Sequence, residues 1–337
     1  MRKNLLNILI GVIIGGIFLW LSLINIDLNE LREYLGIMSF GWMIPFVFLC
    51  FLSFVIRAER WRLLLEPSKQ GVRRSVLLNG ILLGSLINYA IPRLGEISRS
   101  LYVGKSEDMS SSNIFGTVVL ERVIDVIAIG LMLVFVLLFV VTDRTTLGAL
   151  FGPSAVQVVD GLLSPFIIIA FVVAGILSLF LAWKALKFLY RKRAKEVDKG
   201  QESKGLFRII FMFTDGLISI RKLKKWPLFL FHTVLLWVIY IFLTYIPFYA
   251  FNLAEDFGLT LQSAFAVMVI ATIGVMLPSP GAVGTYHWFV KQSLLVLFAV
   301  PAVNGFAYAF ISHIAMFACV VLFLPLTWAV SGLRLRN

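Results

Sequence analysis

The feature that most constrains this chain is its series of long, almost uncharged apolar runs. They are Leu5–Ile24, Met38–Ile56, Ile114–Val141, Leu162–Trp183, Pro227–Ala250 and Asn304–Val330. About 18 or more apolar residues in a row suffice to cross the hydrocarbon core of a bilayer as an α-helix. No polar stretch between the runs reaches the size of a soluble domain. Residues 1–337 are therefore read as a single transmembrane domain of the all-α class, a polytopic helix bundle with about six full spans. The composition agrees: 60% of residues are hydrophobic and 14% charged, against ~45–50% and ~25% in soluble domains.

The net charge of +12 would suggest nucleic acid in a soluble protein. Here Lys and Arg gather between the apolar runs, where the bias of cytoplasmic loops toward positive charge places them, so no nucleic-acid partner is expected. Cys50 and Cys319 each lie inside an apolar run and suggest neither a disulfide framework nor a metal site. His232, His287 and His313 fall in three separate segments without ligand spacing. The apolar stretch after Met1, Arg2 and Lys3 is too long for a signal-peptide core and is read as a retained first span.

Charge also orients the spans. Arg57, Arg60, Arg62, Lys69, Arg73 and Arg74 place the loop after the second run in the cytoplasm, and the basic segment Lys184–Lys225 lies on the same side. The loops Asn25–Ile37, Thr142–Gly161 and Asn252–Thr260 are acidic or nearly neutral and are placed outside. Between Arg74 and Thr142 the chain must cross an odd number of times, yet two apolar segments intervene. Val76–Ile91 is short, contains Asn79, Gly80, Gly84 and Asn88, and stops at Pro92. It is predicted to dip in from the cytoplasm and return, which a bilayer tolerates only where protein or a wet cavity satisfies the backbone. Leu261–Val300, broken by Pro278, Pro280, Gly281 and Gly284, is read as a second hairpin entering from outside, with two ordinary spans as the alternative. Span, hairpin, span then occurs twice with opposite orientation. That is an inverted repeat, with both termini cytoplasmic and broken elements meeting near the midplane. Within about 184–226, Leu206, Ile210, Phe213, Leu217 and Ile220 recur at helical spacing beside Lys204, Arg208 and Arg221. This reads as an amphipathic helix on the inner leaflet, or equally as a cytoplasmic helix packed on the bundle.

Three polar clusters interrupt this pattern. Glu121, Arg122 and Asp125 sit seven to eleven residues into a span, on the order of 10–16 Å deep at ~1.5 Å per residue. Each isolated charge there costs roughly 2.5–3.5 kcal/mol. They suit a wet cavity holding a substrate or proton, or a structural ion pair locking helices. Asn88, Pro92, Arg93, Gly95, Glu96 and Arg99 form the second cluster. A helix restarting near Gly95 would turn free N–H groups toward an anion, and Arg93 and Arg99 add charge suited to phosphate. The third is Pro278 to Trp288, where Pro280, Gly281 and Gly284 break the helix and Thr285, Tyr286 and His287 bring polar groups to the turn. No nucleophile–base pair, metal-ligand spacing or phosphate-cradling loop is present, and no cofactor is expected.

Together these segments resemble the transmembrane, flippase-like region of lysylphosphatidylglycerol synthases. The resemblance covers nearly the whole chain and rests on RWRLLL at Arg60–Leu65, NYAIPRLGEISR at Asn88–Arg99, ERVID at Glu121–Asp125 and PSPGAVGTYHW at Pro278–Trp288. It implies a helical membrane fold linked to moving aminoacylated or other anionic lipids between leaflets; some relatives are associated with lipid-linked sugar pathways. The synthases carry a large soluble aminoacyl-transfer domain after this region, whereas this chain ends at Asn337. Lipid aminoacylation is therefore expected to be absent. The family's last motif also often ends in Glu where this chain has His287.

The resulting expectation is a non-enzymatic transporter or flippase for an anionic lipid (phospholipid, aminoacyl-phospholipid or polyprenyl phosphate) in a bacterial-type plasma membrane. Its substrate-binding candidates are Asn88, Arg93, Glu96, Arg99, Glu121, Arg122, Asp125, Pro280, Gly281, Gly284, Tyr286 and His287. An intramembrane lipid-modifying enzyme using Glu96 or Asp125, and a scaffold for cell-envelope assembly, are the alternatives. Expected partners are membrane lipids, with a second copy or an envelope enzyme as further candidates.

Overall fold

The computed structural model describes residues 2–24, 26–139, 184 and 223–334, and every described element is helical. In chain order the main helices are α1 (Arg2–Leu23), α2 (Leu28–Gly36), α3 (Met43–Leu65), α4 (Arg74–Ala90), α5 (Leu94–Ser106), α6 (Ser111–Phe139), α7 (Trp226–Ala250), α8 (Leu261–Met276), α9 (Thr285–Phe298) and α10 (Ala302–Arg334). The span expected at Leu162–Trp183, and nearly all of the basic segment with its amphipathic helix, lie outside the described residues.

Three stretches are long and apolar enough to cross a membrane: Phe40–Leu65, Trp226–Ala250 and Ala302–Ser331. They correspond to the second, fifth and sixth expected spans. Their outward faces are apolar, with Ile44 75% and Val234 63% exposed, which suits lipid and not water. α1 is bent by 83° against α2, where Asp27 caps the new helix by accepting from the N–H groups of Asn29 and Glu30. α6 has 29 residues and carries Glu121, Arg122 and Asp125 in its first half.

One expectation needs correcting. The sequence placed Arg57, Arg60 and Arg62 in a loop after Ile56; instead α3 continues to Leu65. Arg62 pairs along the helix with Glu59 and Glu66, while Arg60 turns inward and is fully buried. Arg60 and Arg62 do not end the helix because carboxylates neutralise them where they stand.

Two shorter helix pairs fill the middle. α4 and α5, of 17 and 13 residues, are each shorter than the ~20 residues of a simple span. α4 ends where Ile91 turns extended before Pro92, as the residue before a proline prefers. The two limbs meet at Gly84 and Gly95, where a Cβ on Gly95 would overlap the Gly84 carbonyl oxygen. α8 and α9, of 16 and 14 residues, form the second pair. Thr260 and Ser263 cap α8 reciprocally. A Cβ on Gly274 would come within 2.9 Å of the Thr285 carbonyl oxygen.

The two turns touch. Tyr89, near the end of α4, packs on Gly281, and α1 lies across both turns: a Cβ on Gly11 would meet the Pro278 carbonyl at 2.8 Å and the Pro92 ring at 3.3 Å. A core built on Phe54, Trp61, Leu77, Ile81, Leu243 and Val320 packs the first pair against α3, α7 and α10. A second core, including Phe248, Val267, Leu294 and Tyr308, packs α8 and α9 against α7 and α10.

Candidate functional site

The deepest polar feature lies where α3, α5 and α6 meet. Arg60 of α3 reaches both acids of α6, with Nη1 2.7 Å from Asp125 Oδ1 and Nη2 2.9 Å from Glu121 Oε1. Arg99 of α5 donates from Nη2 to the other Glu121 oxygen at 3.0 Å. Arg122 donates to Glu121 Oε1 at 2.8 Å and approaches Asp125 at 3.3 Å. Glu121 and Asp125 share a helix face because they are four residues apart, so one helix presents both acids to arginines from two other helices. Arg60 and Glu121 have no exposed side-chain surface, Arg99 has 4%, and Arg122 has 41%.

The site carries excess positive charge. Three guanidinium groups face two carboxylates; of the charges further out, Arg57 lies within electrostatic range of Glu121 and Arg99, and Glu96 within range of Arg99 and Arg122, which leaves one positive charge in excess. Glu121 is saturated by three arginines, whereas the arginines are not saturated by acids. Arg60 Nε, Arg99 Nη1 and Arg122 Nε are buried without a hydrogen-bond partner. Buried donors normally find one, so a set of unused N–H groups on fixed cations is chemistry suited to an anion. The Arg99 guanidinium also lies 4.7 Å over the Trp61 ring, and Trp61 Nε1 donates to Thr117. Its plane is thereby held in place.

The other sequence candidates divide into two groups. Asn88 accepts from the Gly95 N–H at 2.7 Å. This corrects the expectation of a free N–H group at Gly95: a helix start inside the protein is capped by a side chain of the preceding limb. Asn88 Nδ2 also approaches Glu96 at 3.4 Å. Arg93 is exposed with left-handed backbone, φ 63°, and does not join the arginine network. Pro280, Gly281, Gly284, Tyr286 and His287 form the turn between α8 and α9 and also stand apart from it. There Ser279 and Thr285 hydroxyls pair at 2.8 Å, and the Gly284 N–H donates to His287 Nδ1 at 3.2 Å.

Sequence reasoning missed Arg60, which looked like an ordinary interfacial arginine, and Lys291. Lys291 is buried on α9 and donates to the carbonyls of Leu21 and Ser22 at the end of α1, a cation at a helix C-terminus. A lysine inside an apolar run was the available signal. Among the described residues no group of three or more His, Cys, Asp or Glu side chains could hold a metal ion.

Comparison with known proteins identifies the family. A UPF0104 membrane protein of Pyrococcus horikoshii is 26% identical over 304 residues, covering 88% of this chain and 87% of the relative. No solved structure matches the chain. The family profile of the lysylphosphatidylglycerol synthase TM region matches residues 8–323, and the chain is accordingly a membrane protein belonging to that family.

Proposed function

We propose that the protein moves an anionic lipid between leaflets, with the headgroup phosphate engaged by Arg60, Arg99 and Arg122 while the acyl chains stay in the bilayer. The observation that carries this reading is the set of buried, unpartnered arginine N–H groups beside carboxylates that are already saturated. A phosphate oxygen accepts from just such donors. Arg122, half-exposed, is where a headgroup arrives, and Glu121 and Asp125 fix the arginines and balance their charge.

In this reading the first and second helix pairs are re-entrant hairpins entering from opposite faces, and the two halves form an inverted repeat with cytoplasmic termini in a bacterial-type plasma membrane. The short limbs and the touching turns support it. No ATP-binding segment is legible in the sequence, so movement would be downhill or ion-coupled. A scaffold reading is favoured by one feature, the complete saturation of Glu121, which also suits a lock between helices. In that case a charge-swapped Arg99→Glu/Glu121→Arg pair restores function.

Mass spectrometry of lipids co-purifying with the protein separates the two readings. One anionic or polyprenyl-phosphate lipid should be enriched, and the enrichment lost in Arg99→Ala/Arg122→Ala. Bulk lipid alone in both proteins contradicts a headgroup site.

A further inference from the structure

Four arginines act on Glu121, and one of them is spent differently from the rest. Arg60, Arg99 and Arg122 are each committed to a carboxylate. Arg57, one turn before Arg60 on α3, has no ion pair and no hydrogen bond among the described residues, although it lies within electrostatic range of Glu121 and Arg99. Arg62 on the same helix is paired with Glu59 and Glu66. Arg57 stands about 12 Å, at ~1.5 Å per residue, before the end of α3 at Leu65. A cation inside a membrane-crossing helix ordinarily finds a counter-charge. The one positive charge in excess at this site is therefore Arg57, and its side chain is only partly buried.

The helix beside it supplies neutral donors. α7 packs along α3, with Ile239 and Leu243 in the core that holds Phe54 and Trp61. It brings Tyr240 within electrostatic range of Arg57, Asp125, Arg60 and Arg122. Tyr240 is partly buried, and its hydroxyl has no hydrogen-bond partner among the described residues. Trp237 lies edge-on to the Tyr240 ring, with centroids 5.6 Å apart, and its own indole N–H is buried without an acceptor. A free guanidinium, a free phenol and an unused indole N–H thus gather beside acids that are already taken.

We propose that Arg57 and Tyr240 are the receiving end of the headgroup site. The Arg57 guanidinium meets the phosphate, the Tyr240 hydroxyl donates to it, and the phosphate carries a single negative charge. Arg57, Arg60, Arg99 and Arg122 stand against Glu96, Glu121 and Asp125, so one monoanion brings the site to neutrality. A phosphodiester supplies one charge. A phosphomonoester carries about 1.5–2 at pH 7 and would leave an uncompensated charge away from water, which is costly. The labour is divided: Arg60 and Arg99 are held by Glu121 and fix the field, whereas Arg57 breaks no existing bond when a headgroup enters. This deepens the lipid reading of the arginine network and rests on it.

Native mass spectrometry of the full chain in detergent, beside thermal melts of the same samples, tests the assignment. The probes are phosphatidylglycerol, a phosphodiester, and phosphatidic acid, a phosphomonoester on the same diacyl anchor. Wild type should bind phosphatidylglycerol more tightly. Arg57→Gln should weaken that binding about tenfold or more, as loss of a charged hydrogen bond does, and Tyr240→Phe should weaken it less. Arg57→Lys should keep part of the affinity, as a point charge without the guanidinium fork. Arg74→Gln, which removes an exposed charge at the start of α4, should change nothing. Without lipid, Arg57→Gln should melt no lower than wild type, because an unpaired charge has left the helix; an arginine that held the fold would lower the melt. Phosphatidylglycerol should then raise the melting temperature of wild type and not of Arg57→Gln. Unchanged phosphatidylglycerol binding in Arg57→Gln, a drop in its lipid-free melting temperature, or tighter binding of phosphatidic acid by wild type overturns the proposal and leaves the arginine network standing. Wild type that binds neither probe removes the lipid reading itself, and this assignment with it.

Discussion

The two helix pairs are close in size but are held by opposite chemistry. α4–α5 is tied to its surroundings by Arg99, which bridges to Glu121 and thence to Arg60, all with little or no exposed surface. α8–α9 has no ion pair among the described residues. It is held by glycine packing, a capping box, paired hydroxyls and one lysine on backbone carbonyls. The second pair shows that such an element needs no charge network to sit inside this bundle. Buried ion pairs are in any case weak sources of stability compared with apolar packing. The excess of arginine at the first pair therefore calls for a functional account.

That contrast is broken most severely by Glu121→Ala, which leaves three arginines without their shared partner. Removing one member of a buried pair costs about 3–5 kcal/mol, and thermal unfolding in detergent should show a loss of that order. No single polar substitution within α8–α9 should match it. The nearest is Lys291→Met, which removes charged hydrogen bonds to α1 worth roughly 1.5–3 kcal/mol. Protease cleavage at the start of α2 should then accelerate. Gly95→Ala follows, with about 1–3 kcal/mol of overpacking, because its methyl overlaps backbone. Gly274→Ala should cost less, since its neighbours lie near 2.9–3.0 Å; paired melting curves check the order.

The smallest effect lies at the end of α5, where Glu107 accepts from Arg73 and Lys69. Burial pushes its carboxyl up, but these two cations outweigh burial and hold it below the usual carboxylate range. A lowered folded pKa gives a contribution that is complete above ~4.3 and lost as pH falls through the folded value. Lys69 and Arg73 are partly exposed, so solvent limits it to about 1 kcal/mol or less. Wild type and Glu107→Gln should differ by that amount at pH 7 and converge in acid.

Much of this was legible in the chain. Run length marked α3, α7 and α10 as spans, and Pro92 with the Pro278–Gly284 breakers marked both turns. Glu121, Arg122 and Asp125 stood out because charge inside a span is costly. What was not legible depends on partners distant in sequence. Arg60 reads as interfacial until α6 supplies its acids 61 and 65 residues later. That Asn88 caps the return limb shows only once the Gly95 N–H is brought to it. His313 lies in a plain apolar helix, and nothing local reveals that it stacks on His287.

Lipid translocation in proteoliposomes by wild type and Arg122→Ala tests the central claim most directly. Arg122 is the half-exposed member of the network, so its truncation should leave a folded, monodisperse protein that no longer moves an anionic lipid. Full activity in that variant would contradict an arginine-lined headgroup site.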